Sequence, residues 1–156
     1  MNDDEKYNKM SSLIATFLCF IDPVEDLELE ISKASNLSIA LSNFTSNELM
    51  TGENRYYCEN CGIKTDAQRY LQLHEIPPVL SIQLKRFSHG HTSKGSKLRH
   101  FVEYPISLDF SRYMSGDSRS YSRSKVQKAN LFAIVVHHGY SISNGHYVTY
   151  INTAHG

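Results

Sequence analysis

The segment His-His-Gly-Tyr-Ser-Ile-Ser-Asn-Gly-His-Tyr-Val-Thr-Tyr, residues 137–150, is the most informative part of this chain. An apolar run, residues 131–136, leads into its polar turn, and a β-prone run, residues 147–151, leaves it, which predicts a β-hairpin. His146 lies where the turn becomes the second strand, and histidine suits proton transfer at neutral pH. Taken alone, a histidine at such a position is more often structural than catalytic.

The rest of the chain carries short strand patterns and one helix pattern. Period-two alternation over residues 27–31 predicts a half-buried strand, and apolar residues at i, i+3, i+4 and i+7 predict a helix over residues 37–44. Residues 79–87 form the strongest strand pattern, and residues 101–109 return as a strand interrupted by proline. Residues 88–98 and 111–129 are polar loop sequences. We expect one shared sheet core formed by Leu80, Ile82, Leu84, Leu131, Ala133, Val135, Val148 and Tyr150.

Composition limits the function classes. A chain of 156 residues is one domain or part of one, and its formal net charge is +0. A basic stretch, residues 85–99, invites a nucleic-acid interpretation, but it lacks interleaved aromatic residues beyond Phe87 and Phe101, so a solvated loop is favoured. Residues 13–21 are apolar but too few to span a membrane, and acids crowd the start of the chain where a signal peptide would be basic.

Three cysteines indicate reducing, intracellular chemistry in the cytoplasm or nucleus, because an odd number cannot build a disulfide framework. Cys58-x-x-Cys61 followed by Gly62 has the spacing of a metal-binding knuckle. A structural zinc ion needs four ligands, however, and no second pair stands nearby. The alternative, a pair of reduced thiols at a turn, is equally compatible with the sequence.

Three motifs in order resemble the ubiquitin-specific proteases, papain-like cysteine proteases that remove ubiquitin. The string His137-x-Gly139…Gly145-His146-Tyr147…Tyr150 resembles the histidine box of that family. The segment Ile-Pro-Pro-Val-Leu-Ser-Ile-Gln-Leu-Lys-Arg-Phe, residues 76–87, resembles its "lP-x-vL-x-i-x-LkRF" segment, and Tyr-Cys-Glu-Asn-Cys, residues 57–61, resembles its second zinc knuckle. The resemblance covers most of the chain, from about Asp22 to Ile151.

The resemblance implies an α+β, β-rich fold: the antiparallel sheet of the papain-like palm with part of the zinc-ribbon fingers. Residues 1–21 would be a partly disordered N-terminal segment. Residues 22–156 would be a partial catalytic domain, with part of the fingers in residues 22–76 and part of the palm in residues 77–151. In the family, the other two zinc ligands come from an earlier C-x-x-C pair, which is absent here, so Cys58 and Cys61 would form half of a zinc site.

The resemblance also assigns His146 as the catalytic base of a thiol-dependent deubiquitinase. The family's nucleophile lies in a "G-N-T-C" box, and its orienting Asp or Asn follows the histidine strand; neither is recognisable in this sequence. Without a nucleophile and an orienting residue, a cysteine protease loses its covalent route. We therefore expect a fragment that is inactive alone, and whether it counts as an enzyme stays open.

Three functions remain as alternatives. The chain is part of a deubiquitinase acting after the C-terminal glycine of ubiquitin, or a non-catalytic ubiquitin-binding fragment or pseudoenzyme, or, with less support, a zinc-ribbon nucleic-acid binder. The expected partner is ubiquitin or a ubiquitinated protein. We expect no binding to membranes, and the sequence does not favour binding to nucleic acid. Zinc is the one cofactor that the sequence suggests.

Overall fold

The computed structural model describes residues 23–24, 26–87, 97–115, 127–141 and 143–153. The predicted buried segment 13–21, the single thiol Cys19 and residues 88–96 and 116–126 of the predicted loops lie outside the described residues. Within the described ranges, the elements follow in the order β1 (Asp26–Glu30), α1 (Leu37–Phe44), β2 (Glu48–Met50), a 3₁₀ helix (Gly52–Asn54), β3 (Tyr56–Cys58), β4 (Ile63–Thr65), β5 (Ala67–Arg69), β6 (Ser81–Lys85), β7 (Ser107–Asp109), β8 (Lys128–Asn130), β9 (Ala133–Ser141) and β10 (Asn144–Ile151).

Helix α1 has the bounds that the apolar period predicts. The side chain of Asn36 accepts a hydrogen bond of 2.8 Å from the backbone N–H of Ile39, so the helix begins with a capped first turn. Ala40 and Leu41 are buried on the inner face. No helix in the described part of the chain is long and apolar enough to cross a membrane.

Strand β1 alternates between exposed and buried side chains, as predicted, and pairs with β6. Leu27 lies beside Ile82 and Leu29 beside Leu84. This pair is parallel, which corrects the expectation of an antiparallel sheet for these strands. The segment between the two strands carries α1 and four further strands, and a crossover of that length is what a parallel pair requires. The other four strand pairs within the described ranges are antiparallel.

The core lies between β1, α1 and the segment 102–114. Its buried apolar residues are Leu27, Leu29, Ile31, Ala34, Ala40, Leu41, Val102, Phe110, Tyr113 and Met114. Backbone hydrogen bonds between Ser35 or Leu37 and Glu103, 2.8–2.9 Å long, join segment 102–114 to the start of α1. These contacts connect residues more than sixty positions apart, so the core depends on long-range packing.

The predicted shared core is only partly correct. Leu80, Ile82 and Leu84 pack against the buried core, as predicted. Val135 on β9 is 65% exposed and Tyr150 on β10 is 58% exposed, so the prediction is wrong for this hairpin. Within the described residues, β9 and β10 form one sheet and β1 and β6 form another. The hairpin is therefore not part of the sheet whose side chains pack against the core.

Four short strands between α1 and β6 form two nested antiparallel pairs. The outer pair joins β2 to β5, and the inner pair joins β3 to β4. Surface ion pairs accompany them: Arg69 lies 2.6 Å from Glu48, and Arg55 lies 2.7 Å from Asp66. All four of these ion-pair side chains are well exposed, so the pairs contribute little to stability. The arrangement projects Cys58 and Cys61 at the end of the inner pair.

Candidate functional site

The hairpin β9–β10 carries the histidine box. It is longer than the sequence predicts: β9 extends to Ser141 and β10 begins at Asn144, so His146 lies inside a strand. His146 is opposite His138, and Tyr147 is opposite His137. Because directly opposite residues share a face of an antiparallel pair, the two imidazoles of His138 and His146 lie on one face.

Two glycines permit the close approach of the strands around His137. Gly145 has φ 155° and lies where the register of the hairpin shifts. A Cβ atom there would overlap the Nε2 atom of His137 and come within 2.9 Å of its Cε1 atom. A Cβ atom at Gly139 would come within 2.8 Å of the same Cε1 atom. The glycines of the histidine box therefore leave the space that the imidazole of His137 occupies.

Lys97 joins this hairpin to Phe87, which lies just after β6 and pairs with Lys97 in an isolated β-bridge. Its ammonium donates to the carbonyl oxygens of His137 at 2.7 Å and Gly139 at 3.0 Å. It also lies 3.1 Å from the Nδ1 atom of His137. An ammonium has three donors and no acceptor, so Nδ1 accepts here and the ring proton of a neutral His137 is on Nε2. Phe87, bridged to Lys97 through the backbone, places its ring edge against the same imidazole, with centroids 5.7 Å apart.

The surroundings of His137 lower its pKa below the ordinary value near 6.5. Partial burial is the largest cause, followed by the positive charge of Lys97 and then the neighbouring His138 and His146. His137 is consequently neutral at physiological pH and serves as an acceptor for Lys97. The sequence predicts no role for His137 beyond its place in the histidine box, and it predicts a polar loop over residues 88–98, which include Lys97. The pairing of this lysine with a histidine forty residues later is visible only in the fold.

His146 stands on an open face of the hairpin. Its side chain is exposed and its ring stacks on that of His138, with centroids 5.2 Å apart and planes at 18°. Both rings line an open depression of about 360 Å³; its other lining residues are Gly139, Tyr140, Ser141, Asn144 and Gly145. Arg99 lies over the ring of Tyr140, 4.4 Å from its centroid. Among the described residues, no carboxylate or amide side chain hydrogen-bonds the ring of His146.

Cys58 and Cys61 meet at a turn of the inner strand pair. The backbone N–H of Gly62 donates to the carbonyl of Cys58 at 2.8 Å, and Gly62 adopts the φ of 68° that this turn requires. Cys58 and Cys61 are not joined by a disulfide, and a hydrogen bond between the two sulfurs, with some desolvation, raises the pKa of Cys61. The structure therefore brings together the two residues predicted to bind metal.

Among the described residues, no further ligands of a structural zinc site accompany this pair. Across the ranges that the structure describes, no group of three or more His, Cys, Asp and Glu residues is placed to hold a metal ion. A tetrahedral zinc ion needs four ligands, so Cys58 and Cys61 fit half of such a site. Their role as zinc ligands stays a prediction. They lie on the β3–β4 pair, whereas His146 lies on the β9–β10 hairpin.

Comparison with known protein families shows to which family this chain is related. The family model described as ubiquitin carboxyl-terminal hydrolase matches residues 14–156, which includes the whole hairpin and both cysteines of the turn. This chain belongs to the ubiquitin carboxyl-terminal hydrolase family. The match confirms the resemblance to ubiquitin-specific proteases found in the sequence.

Known members of the family align over most of this chain. It is 35% identical over 127 residues to ubiquitin carboxyl-terminal hydrolase 26 of Oryza sativa subsp. japonica, and 37% identical over 134 residues to ubiquitin carboxyl-terminal hydrolase 17-like protein D of Mus musculus. These alignments cover 81% and 84% of the chain but 11% and 23% of the relatives. The chain thus spans about a tenth to a quarter of the length of the curated relatives it matches.

A solved structure shows the same fold. A chain of the SAGA Ubp8/Sgf11/Sus1/Sgf73 DUB module bound to ubiquitin aldehyde superposes with a TM-score of 0.73 at 33% identity. The match covers 88% of this chain and 30% of that one. The β-rich structure of this ubiquitin carboxyl-terminal hydrolase chain is therefore similar to part of a chain in that module.

Proposed function

We propose that this chain is part of a thiol-dependent deubiquitinase that hydrolyses the bond after the C-terminal glycine of ubiquitin, with His146 as its general base. The family match carries the proposal, and the exposed position of His146 in an open depression supports it. A general base must come within hydrogen-bond reach of the proton that it accepts, and the exposed ring of His146 is accessible to a nucleophile and a substrate. Residues 22–76 would form part of the fingers and residues 77–151 part of the palm.

The catalytic thiol does not come from Cys58 or Cys61 in this proposal. A nucleophilic cysteine needs a depressed pKa, as beside an imidazolium or at a helix N-terminus. The pKa of Cys61 is instead raised by its contact with Cys58, and the two thiols lie together at a β-turn. We therefore assign them to a zinc knuckle of which they form one half, and we expect this chain to be inactive by itself.

A second candidate is a non-catalytic module that binds ubiquitin. The observation in its favour is that both described cysteines lie on a different strand pair from His146. Ubiquitin or a ubiquitinated protein is the partner in either case. Reduced thiols and the family suit a reducing compartment, the cytoplasm or nucleus, for both candidates.

The zinc-ribbon nucleic-acid binder has less support, because the cations of the basic stretch that the structure describes make contacts within the chain. Lys85 pairs with Glu28 at 2.9 Å, and Arg86 donates to the carbonyls of Leu98 and His100 at 3.1 and 3.0 Å. Lys97 donates to the hairpin, and Arg99 stacks on Tyr140, as described above. A phosphate-binding patch needs cations that are free to reach phosphates.

The proposed function is tested in a chimera. Residues 23–153 replace the aligned region of the catalytic domain of the mouse 17-like protein D, which supplies the rest of the domain. We expect the chimera to cleave ubiquitin conjugates and His146→Ala to lower kcat by about 10²-fold or more, the range of general-base assistance. His100→Ala, which removes an exposed histidine outside the hairpin, is the matched control. A chimera that folds and binds ubiquitin but tolerates His146→Ala contradicts the assignment.

An experiment on the purified chain distinguishes the two candidate functions. The purified protein is mixed with ubiquitin that carries a thiol-reactive group at its C-terminus, and adducts are measured by mass spectrometry. We expect no adduct, with ubiquitin binding observed by NMR. An adduct that disappears in His146→Ala would show instead that the chain is an enzyme in its own right.

A further inference from the structure

We propose that His138 and His146 form a binding site for one divalent transition-metal ion, Zn²⁺ or Cu²⁺, on the open face of the hairpin. The two residues are directly opposite each other on neighbouring strands. Their rings are nearly parallel, 5.2 Å apart between centroids, and both side chains are exposed. Imidazole is a preferred ligand of zinc and copper, whereas Mg²⁺ and Ca²⁺ prefer oxygen ligands.

The strand pairing supplies the geometry that a shared ion needs. A Zn–N bond is about 2.0–2.1 Å, so two nitrogens bound to one ion lie within about 4.2 Å of each other. Opposite residues of an antiparallel pair have Cβ atoms about 4.5–5.5 Å apart, which holds both rings within reach of one ion. Both rings are exposed, so they can tilt toward each other to close the remaining distance.

The surroundings set the character of the site. The residues that line this depression include Ser141 and Asn144 but no Asp or Glu. Within the described residues no third His, Cys, Asp or Glu completes a cluster. The ion would therefore keep solvent water at its other positions, and its binding would be reversible and weaker than that of a structural zinc site.

The site has a consequence for catalysis, and this consequence rests on the proposed function of His146 as the base. A metal ion and a proton compete for the same lone pair of an imidazole, because only the neutral ring binds metal. Occupation of the site would then hold the ring of His146 and stop it from accepting a proton. His138 would supply the second ligand of an inhibitory site without taking part in the reaction.

Binding is tested on the chain itself, without an activity measurement. The variant Cys58→Ser/Cys61→Ser removes competition from the cysteine pair, and Zn²⁺ is titrated while histidine ring resonances are followed by NMR. We expect saturable shifts of both His138 and His146, no shifts with Mg²⁺, and a loss of affinity of about tenfold or more in His138→Ala, since even outer-shell partners of metal ligands contribute about 10–100-fold. His100→Ala should bind as the parent does.

The outcomes are distinct. Shifts confined to other histidines, or an unchanged affinity in His138→Ala, would overturn the proposal. Backbone NMR spectra check the fold of His138→Ala, and His138→Asn serves if that variant unfolds. Because the readout is metal binding, an inactive chimera would refute the proposed function and leave this result standing.

Discussion

At the residue scale, the side chain of Lys97 holds the hairpin in place through its hydrogen bonds to β9. Its ammonium satisfies three acceptors on His137 and Gly139 of β9, two of them backbone carbonyls and one the Nδ1 atom of His137. The contact is partly buried, and hydrogen bonds to a charged donor are stronger there than at an exposed surface. Lys97 therefore both anchors the hairpin and selects the ring tautomer of His137.

We expect Lys97→Met to raise the pKa of His137 toward its ordinary value, because the charge of Lys97 is the second largest cause of its depression. The variant should also lower the free energy of unfolding by about 1–3 kcal/mol, because two carbonyls lose a charged donor. Histidine NMR titration and urea unfolding measure the two effects. Lys85→Met, which removes an exposed ion pair with Glu28, is the control and should change neither by much.

The lowered pKa of His137 also fixes the direction of a pH effect. The unfolded state binds a proton near pH 6.5 and the folded state only at lower pH, so the unfolded state holds more protons between these values. Stability is therefore complete above about pH 6.5 and decreases as the pH falls through that window. In Lys97→Met the decrease should be smaller. The pKa values of Asp109 and Glu30 are also lowered. These carboxylates change stability only below about pH 4.5, so they do not affect the comparison of Lys97→Met with the parent protein near pH 6.

A second residue-scale prediction concerns Gly145. Alanine there meets two obstacles: a φ of 155° that side chains rarely adopt, and the ring of His137 in the space of the new Cβ atom. Gly52 has a φ of 60° but nothing within 4 Å of a new Cβ atom, so Gly52→Ala reports backbone strain alone. Strain of this kind costs about 1–3 kcal/mol. We expect Gly145→Ala to lower the urea midpoint clearly more than Gly52→Ala, and equal effects would show that crowding against His137 is unimportant.

At the element scale, the sequence predicts what local signals determine. Helix α1 was predicted with its observed bounds, because its cap at Asn36 and its apolar period are both local. The turn that brings Cys58 and Cys61 together follows from their spacing and Gly62. The parallel pairing of β1 with β6 could not be predicted, since it depends on how the chain between them crosses over. The Lys97–His137 contact was missed for the same reason.

The inner face of α1 offers a matched pair of substitutions. Leu41 is fully buried against the core, whereas Ile39 on the same helix is 38% exposed. Leu41→Ala removes buried methyl groups and leaves a cavity, so we expect a loss of about 2–5 kcal/mol in the free energy of unfolding. Ile39→Ala should have a much smaller effect in the same urea experiment. Similar losses for both would mean that α1 does not pack on β1 as described.

At the scale of the whole molecule, the described residues divide between a well-packed part and an exposed one. The core of β1, α1 and segment 102–114 is closed, whereas the hairpin β9–β10 leaves Val135, Tyr147 and Ile151 more than 60% exposed. A two-stranded hairpin is marginally stable by itself. The hairpin is therefore held to the rest of the chain by contacts such as those of Lys97 and Phe87 with His137. A substitution of Lys97 or Phe87 should consequently disturb the histidine box before it disturbs the buried core.

The zinc content of the isolated chain tests the proposal that Cys58 and Cys61 form only half of a zinc site. A complete structural site provides an apparent binding free energy of about 10–16 kcal/mol, and two thiolates forfeit a large part of it. The raised pKa of Cys61 weakens binding further, because zinc binds the thiolate and must displace a more tightly held proton. We expect zinc to be lost on dialysis against a chelator, as measured by atomic emission. Cys58→Ser/Cys61→Ser should abolish the weak binding at the turn and leave binding at His138 and His146 intact. Stoichiometric zinc that survives the chelator and depends on Cys58 would contradict the half-site and require ligands beyond the described residues.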